Sequence, residues 1–274
     1  MIHDNEMLHQ RRSEIITRIK KFRTVKVADL MRDYEVSIET IRRDLEYLEM
    51  KGYLRRVYGG AVLHGLYGEE PEYESREILN YPQKLAIGKK AAEFINDGDT
   101  LFIDVGTTTM EVAKQLWNKK NLMVITNGTL IAHELMKNDN CRVILLGGEL
   151  RKGELSVSGF LSDSNIRHFY ATKVLLGVGG ITLETGITDY DVQEASTRRI
   201  MVEHSDEVIA VADYSKFGVT AMNHVCPVEK VHILITDWTT PAKVTAEYRY
   251  RGLMVYSGPP LPGIPVETVD SEYR

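Results

Sequence analysis

Residues 37–50 read SIETIRRDLEYLEM. Apolar side chains recur at Ile38, Ile41, Leu45 and Leu48, a spacing that predicts one amphipathic helix with a single buried stripe. Ser37 stands just before it, where a hydroxyl can accept from the free N–H groups of the first turn. Gly52 suits the chain reversal beyond its end. Upstream, Met7 to Phe22 places Leu8, Ile15, Ile16, Ile19 and Phe22 near one face. A shorter run, Val27 to Tyr34, places Val27, Leu30, Met31 and Tyr34 together. Downstream, Tyr53 to Tyr58 is β-prone, and Gly59-Gly60 makes a turn. Helix, short helix, tight turn, helix and glycine-tipped hairpin is the order of a winged helix-turn-helix.

The stripe leaves Ser37, Glu39, Thr40, Arg42, Arg43 and Glu46 facing out or sideways. A helix that enters a major groove needs such an outer face. Arg forks onto guanine O6 and N7, and Thr meets a thymine methyl or a phosphate. Ser37 and Thr40 lie where first-turn N–H groups favour phosphate. Arg55, Arg56 and Tyr58 lie on the expected wing, where backbone or minor-groove contact fixes register. A carboxylate facing phosphates is repelled, so Asp44 is expected to pair with a neighbouring Arg instead.

Charge follows the same division. The net charge of −5 combines a head, residues 1–62, with thirteen Lys/Arg against ten Asp/Glu, and a remainder with twenty-one against twenty-nine. A basic head on an acidic body puts a polyanion partner at one end. The 274 residues are 43% hydrophobic and 27% charged. That composition fits one large or two ordinary globular domains. No run of eighteen apolar residues suggests a membrane span, and Met1 to Arg12 has no apolar core of a signal peptide. Cys141 and Cys226 are far apart, so a disulfide framework is excluded and a cytoplasmic location is expected.

Residues 63–83 are polar and acidic and read as a linker. From Lys84 onward helical and strand patterns alternate, which predicts an open, mainly parallel α/β sheet covered by helices. This second domain is expected over residues 84–258, with a proline-rich tail over 259–274. Asp104-Val105-Gly106-Thr107-Thr108-Thr109 follows an apolar strand and precedes a helix. Glycine there lets the backbone turn closely, while hydroxyls and first-turn N–H groups converge into an anion seat. Other strand ends carry Thr126-Asn127-Gly128, Gly147-Gly148-Glu149-Leu150-Arg151, Gly177 to Ile181 and Asp213 to Gly218. Ligands of open α/β sheets bind beyond the carboxyl ends of the strands, so these loops are expected to share one crevice.

Two sets of residues carry a family resemblance. Arg11-x3-Ile15-x3-Ile19, then Ser37-x2-Thr40-Ile41-Arg42-Arg43-Asp44-Leu45 and Gly52 to Ala61, resemble the signature and wing of the DeoR family of bacterial transcriptional regulators. The strings DVGTTT, TNG, GGELR and ADYSKFG, within Lys84 to Thr239, resemble that family's sensor domain, which is similar in fold to ribose-5-phosphate isomerase. Together they cover about four-fifths of the chain. The resemblance implies that Ser37, Thr40, Arg42 and Arg43 read operator DNA. It also implies a sugar-phosphate site lined by Asp104, Gly106, Thr107, Thr108, Thr109, Thr126, Asn127, Gly147, Gly148 and Lys216. Lys216 would supply a cation, and Arg151 another. Gly179-Gly180 departs from the Asp-Gly that family members often carry, so a carboxylate toward ligand hydroxyls is missing.

The expected function is a DNA-binding transcriptional regulator. The reading favours a repressor of a carbohydrate-metabolism operon, a homo-oligomer (dimer or tetramer) released from double-stranded operator DNA by a phosphorylated sugar or sugar acid. No cofactor is expected. The alternative is a sugar-phosphate isomerase with an accessory nucleic-acid module. Isomerases of this fold carry an Asp-Gly-Ala-Asp string and a Lys-Gly-Gly-Gly string, and neither occurs here. Asp189, Asp191 and Glu194 are the available general bases, yet acids at a helix start also suit its dipole. The eight histidines show no metal-ligand spacing, so no metal is expected.

Overall fold

A computed structural model describes residues 8, 11–19, 24–57, 60–63, 70 and 73–260. The chain forms two compact units, Met1–Pro71 and Glu72–Arg274.

The first unit contains a helix over residues 11–19 (α1), then β1 (Thr24–Lys26), α2 (Val27–Tyr34), α3 (Ile38–Met50), β2 (Leu54–Val57) and β3 (Gly60–Leu63). Ile15, Ile19, Leu30, Ile41, Leu45, Leu48 and Leu54 are buried together, so the apolar stripe of each helix meets the others. The chain leaves α2 through Glu35 in the left-handed region, and Ser37 caps α3. The hairpin of β2 and β3 is joined by β1, giving the order β1-β3-β2. Sequence patterning did not foresee β1, which is three residues long. The expected helix over Met7 to Phe22 is described at residue 8 and residues 11–19; its remaining positions lie outside the described residues.

The second unit opens with α4 (Tyr73–Ile78) and α5 (Tyr81–Ala92). Both begin inside the stretch read as a linker. Then come β4 (Thr100–Ile103), α6 (Thr107–Ala113), β5 (Leu122–Thr126), α7 (Thr129–Leu135), β6 (Cys141–Leu145), the hairpin β7 (Glu149–Arg151) and β8 (Ser156–Ser158), and α8 (Phe160–Ile166). They are followed by β9 (Ala171–Gly177), β10 (Gly180–Thr182), β11 (Gly186–Asp189), α9 (Val192–Glu203), β12 (Ser205–Val211) and β13 (Asn223–Cys226). β14 (Ile233–Asp237), α10 (Ala242–Tyr250) and β15 (Met254–Gly258) complete the unit. Residues 261–274 of the expected tail lie outside the described residues.

Seven strands form a sheet of order β15-β14-β12-β9-β4-β5-β6, and every neighbouring pair is parallel. Residues alternate between its faces. Leu101 and Ile103 pack with Ile87, Ala91, Met110 and Ile131 of α5, α6 and α7. Phe102 packs on the other side with Ala195 and Met201 of α9, Ile166 of α8 and Tyr248 of α10. Burial on both faces is why these strands are continuous apolar runs. The small antiparallel sheet β10-β11-β13 adds Ile181, Ile187 and Val225 to that second layer.

This order contains a topological switch point, where ligands of open α/β sheets commonly bind. From β4 the chain builds outward through β5 to β6; from β9 it builds the other way through β12 and β14 to β15. Strand order therefore reverses between β4 and β9, and loops leaving such a point run to opposite sides of the sheet. Asp104 follows β4, and Gly177 ends β9.

Candidate functional sites

On the first unit, α3 presents Arg42 and Arg43 as exposed side chains and keeps Ile41, Asp44, Leu45 and Leu48 buried. Asp44 accepts from Arg11 Nε at 2.6 Å and from Arg12 Nε at 2.7 Å. Arg12 also lies over the Tyr47 ring, 3.9 Å from its centroid. The carboxylate thus ties α1 to α3 and points away from the helix's outer face. Ser37 Oγ accepts from the Thr40 N–H at 3.3 Å and lies 3.0 Å from Thr40 Oγ1. Both hydroxyls sit at the exposed helix start, where first-turn donors attract anions.

On the wing, Arg56 Nε donates to Glu49 Oε2 at 2.6 Å, and the Arg56 N–H donates to Glu49 Oε1 at 2.7 Å. That contact raises the Arg56 pKa above its ordinary value, through the hydrogen bond to Glu49 first. It also docks β2 on the end of α3. Arg55 lies on β2, next to Arg56. Tyr58 lies outside the described residues.

In the second unit the structure sorts the expected effector residues into two groups. Asp104, Thr109, Thr126 and Asn127 are fully buried beneath the loops. Asp104 Oδ2 accepts from Arg198 Nε at 2.7 Å and from the Gly177 N–H at 3.2 Å. Thr126 Oγ1 donates to the Ile103 carbonyl at 2.6 Å and accepts from the Gly128 N–H at 3.0 Å. Thr109 Oγ1 donates to the Gly106 carbonyl at 3.0 Å. Asn127 Oδ1 accepts from the Val105 N–H at 3.0 Å, while its Nδ2 is buried with no partner among the described residues. These four hold the loops in place.

Gly106, Thr108, Gly147, Gly148, Arg151 and Lys216 are the more open group, with Thr107 nearly buried at the start of α6. Gly148 must be glycine, because a Cβ there would lie 2.5 Å from the Ser158 carbonyl oxygen. Arg151 lies 3.1 Å from Glu194 Oε1 and 3.7 Å from Asp191 Oδ2. Lys216 ends a short 3₁₀ turn, Tyr214–Lys216, that Asp213 caps by accepting from the Ser215 N–H at 3.0 Å.

Four residues that sequence reasoning did not single out complete the arrangement. Arg198 on α9 is buried among Asp104, Asp189 and Glu194, and its Nη2 donates to the Val105 carbonyl at 3.3 Å. Lys84 on α5 is buried, and its Nζ donates to the Arg76 carbonyl. Burial pushes the Lys84 pKa down to about 8; Asp213 opposes that fall, while Lys216 and Arg76 add to it. Arg76 on α4 pairs with Glu154 in the β7–β8 turn. Asn80, between α4 and α5, donates to Asp213 Oδ1 at 2.9 Å. Arg76, Lys216 and Asp213 therefore all act on the buried Lys84 ammonium. The sequence signal was a lysine within the buried face of α5, beside Ile87, Gly88 and Ala91.

The three acids weighed as general bases all have partners. Asp189 is held by Arg198. Glu194 accepts from Ser156 Oγ at 2.6 Å. Asp191 caps α9, accepting from the N–H groups of Gln193 and Glu194 at 2.9 and 3.0 Å. The place of the missing carboxylate is also filled. A Cβ on Gly179 would meet the Thr188 carbonyl at 2.9 Å and Tyr190 Cδ2 at 3.2 Å. Among the described residues, no group of three or more His, Cys, Asp or Glu is arranged to hold a metal ion. No helix among them is long and apolar enough to cross a membrane.

Comparison with known proteins matches both units. Residues 11–65 match the DeoR-like helix-turn-helix domain, and residues 79–238 match the DeoR C terminal sensor domain. The chain is 36% identical to the glycerol-3-phosphate regulon repressor of Escherichia coli, covering 86% of this chain and 93% of that protein. It is 32% identical to the HTH-type transcriptional regulator GolR of Listeria innocua, covering 90% of this chain and 97% of that protein. Among solved structures, ribose 5-phosphate isomerase A of Methanocaldococcus jannaschii aligns with a TM-score of 0.38 at 14% identity, covering 50% of this chain and 55% of that one.

Proposed function

The chain belongs to the DeoR family of transcriptional regulators, and on that premise we propose that it represses a carbohydrate-metabolism operon and is released by a phosphorylated sugar or sugar acid. The observation that carries the effector half of this reading is the buried Lys84, whose Nζ reaches the Arg76 backbone and whose charge is further disfavoured by Arg76 and Lys216. The Lys84 charge is poorly solvated and faces like charges, so an anion placed beside it is favoured. Thr107, Thr108, Gly147, Gly148 and Arg151 would orient the sugar. Asp104, Thr109, Thr126 and Asn127 would hold the loops that do so.

On the head, Arg42 and Arg43 would read base edges, and Ser37 and Thr40 would meet phosphate. Arg55, Arg56 and Tyr58 would fix register on the wing. A chain with one such head gains affinity and reads a two-fold site by acting as a homo-oligomer. The effector shifts the heads only by its differential affinity for the bound and released conformations. The relatives named as repressors support this reading. It assigns the protein to the cytoplasm and gives it no metal or cofactor.

A sugar-phosphate isomerase is less well supported. Asp189, Asp191 and Glu194, the acids weighed as general bases, are each held by structural partners. A thermal-shift screen of phosphorylated sugars tests the site, because a ligand of the native state raises its melting temperature. The expected hit stabilises the wild type and has little effect on Lys216→Ala. Equal stabilisation of both proteins would place the site elsewhere.

A further inference from the structure

α4 is the first helix of the sensor unit, and nine residues separate it from Leu63 at the end of β3 in the head. It is six residues long, too short to persist in water without packing. Tyr73 and Arg76 dock it. Tyr73 is buried, with the Arg76 guanidinium 5.8 Å from its ring centroid. Arg76 pairs with Glu154, and its carbonyl accepts from Lys84 Nζ. Glu74, Glu77 and Ile78 are exposed.

The acid that holds Arg76 stands on a fastened turn. Glu154 lies between β7 and β8. Next to it, the Leu155 carbonyl accepts from the Thr129 N–H at 2.9 Å and from Thr129 Oγ1 at 2.6 Å. The Val157 N–H donates to the Asn127 carbonyl at 2.8 Å. These bonds tie the turn to the loop after β5 and the start of α7, so α4 is the freer side of the ion pair. Both charges of that pair are largely withdrawn from water, with side-chain exposures of 14% for Arg76 and 6% for Glu154. An arginine so placed is contested by any stronger anion that reaches it. A phosphate monoester carries up to about two negative charges near neutral pH and three acceptor oxygens, against one charge on a carboxylate. An anion beside Lys84 also lies next to Arg76, because Lys84 Nζ already touches the Arg76 carbonyl. Such an anion repels the Glu154 carboxylate and attracts the Arg76 guanidinium.

We infer that Glu154 is the chain's own stand-in for the effector anion, and that α4 is a clasp: an anion beside Lys84 takes Arg76 from Glu154 and lets α4 leave the sensor unit. The inference rests on the reading of Lys84 and its neighbours as the effector site of a regulator. Once released, the six residues lose their helix. A segment that spans about 9 Å as helix then reaches about 20 Å when extended. A longer and looser tether lowers the effective concentration of a second head at its half-site. The grip on DNA falls with no change inside the head.

The test is a charge reversal in the full chain, read without any effector. Glu154→Arg sets two like charges where the clasp closes. It is expected to quicken amide exchange over residues 73–78 tenfold or more, with an unchanged circular-dichroism spectrum. At fixed salt it is also expected to weaken binding to a duplex selected by the wild type tenfold or more. Arg76→Glu is expected to do the same. The double variant Arg76→Glu/Glu154→Arg rebuilds the pair with its charges exchanged, and is expected to bring both readouts back to within about threefold of the wild type. A double variant as weak as the single ones would overturn the clasp, because it would show that these residues serve folding alone. So would wild-type exchange over residues 73–78 in Glu154→Arg, or quickened exchange with wild-type affinity for the duplex. If sugar phosphates release the wild type while Glu154→Arg keeps its full grip, the clasp fails and the regulatory reading stands. If no sugar phosphate releases the wild type while the exchange and affinity shifts occur as expected, the clasp stands and the effector reading fails.

Discussion

Arg198 and Asp104 lie 94 residues apart in sequence, and the arginine Nε donates to the carboxylate Oδ2 at 2.7 Å in the interior of the sensor unit. The same guanidinium reaches Asp189 and the Val105 carbonyl. One side chain of α9 thus fixes the loop after β4 and the end of β11. Removing it would strand two buried carboxylates. Arg198→Met is expected to lower the stability of the sensor unit by about 3–5 kcal/mol, the usual loss when one partner of a buried ion pair is deleted. Urea denaturation of the full chain measures this. A loss below about 1 kcal/mol would mean that water reaches the cluster.

Lys84 gives a pH dependence of definite sign. Its folded pKa is lowered from 10.5 to about 8 by burial. Below pH 8 it is charged in both states, and the full cost of burying the charge is present. Between pH 8 and 10.5 the unfolded chain holds a proton that the native protein has released, so this group's contribution to stability rises with pH. From pH 7.5 to 9.5 the rise is about 1–2 kcal/mol. It is expected as a difference between the wild type and Lys84→Met, measured by urea denaturation at both pH values. Parallel pH profiles for the two proteins would show that Lys84 is solvated.

Arg43 and Asp44 are neighbours with opposite expected phenotypes. Arg43 is exposed on α3. Arg43→Ala is expected to weaken operator binding by about 1–3 kcal/mol if the side chain forks onto a base. Its thermal unfolding should match the wild type. Unchanged affinity in a titration at fixed salt would remove Arg43 from the base-reading set.

Asp44→Ala should instead unfold the head. Its carboxylate is buried between Arg11 and Arg12. The expected loss is about 3 kcal/mol, at the low end for a broken buried pair because both arginines retain some contact with water. Head-specific amide exchange would report it. A stable head that binds DNA less well would mean that Asp44 acts at the DNA surface.

Much of this architecture was legible in the residues themselves. The helix α3 was readable because its apolar spacing keeps the 3.6-residue period and Ser37 marks its start. The central strands were readable because burial on both faces leaves runs such as Leu101-Phe102-Ile103. Strands of three or four residues, β1, β7, β8, β10, β11 and β13, are too short to show a period. α4 is six residues of mixed polarity, so it read as linker. Arg198 was invisible for a different reason. Its partners come from β4 and β11, and no local pattern encodes that meeting. A faint signal was present, since Glu194 and Arg198 sit among the inward residues of α9 with Ala195 and Met201. The strings DVGTTT and ADYSKFG follow the carboxyl ends of β4 and β12, but pattern alone could not separate the side chains buried beneath these loops from the exposed ones.

The central claim is that occupancy of the sensor crevice changes the grip of the head on DNA. The most direct measurement is fluorescence anisotropy of the full chain on a duplex selected from random DNA, at fixed salt. It is run with and without a panel of sugar phosphates, sugar-acid phosphates and glycerol 3-phosphate. The account predicts that one member weakens binding tenfold or more, and that Lys216→Ala binds the duplex normally but resists release. Affinity unmoved by every member, or release of Lys216→Ala as complete as that of the wild type, would contradict it.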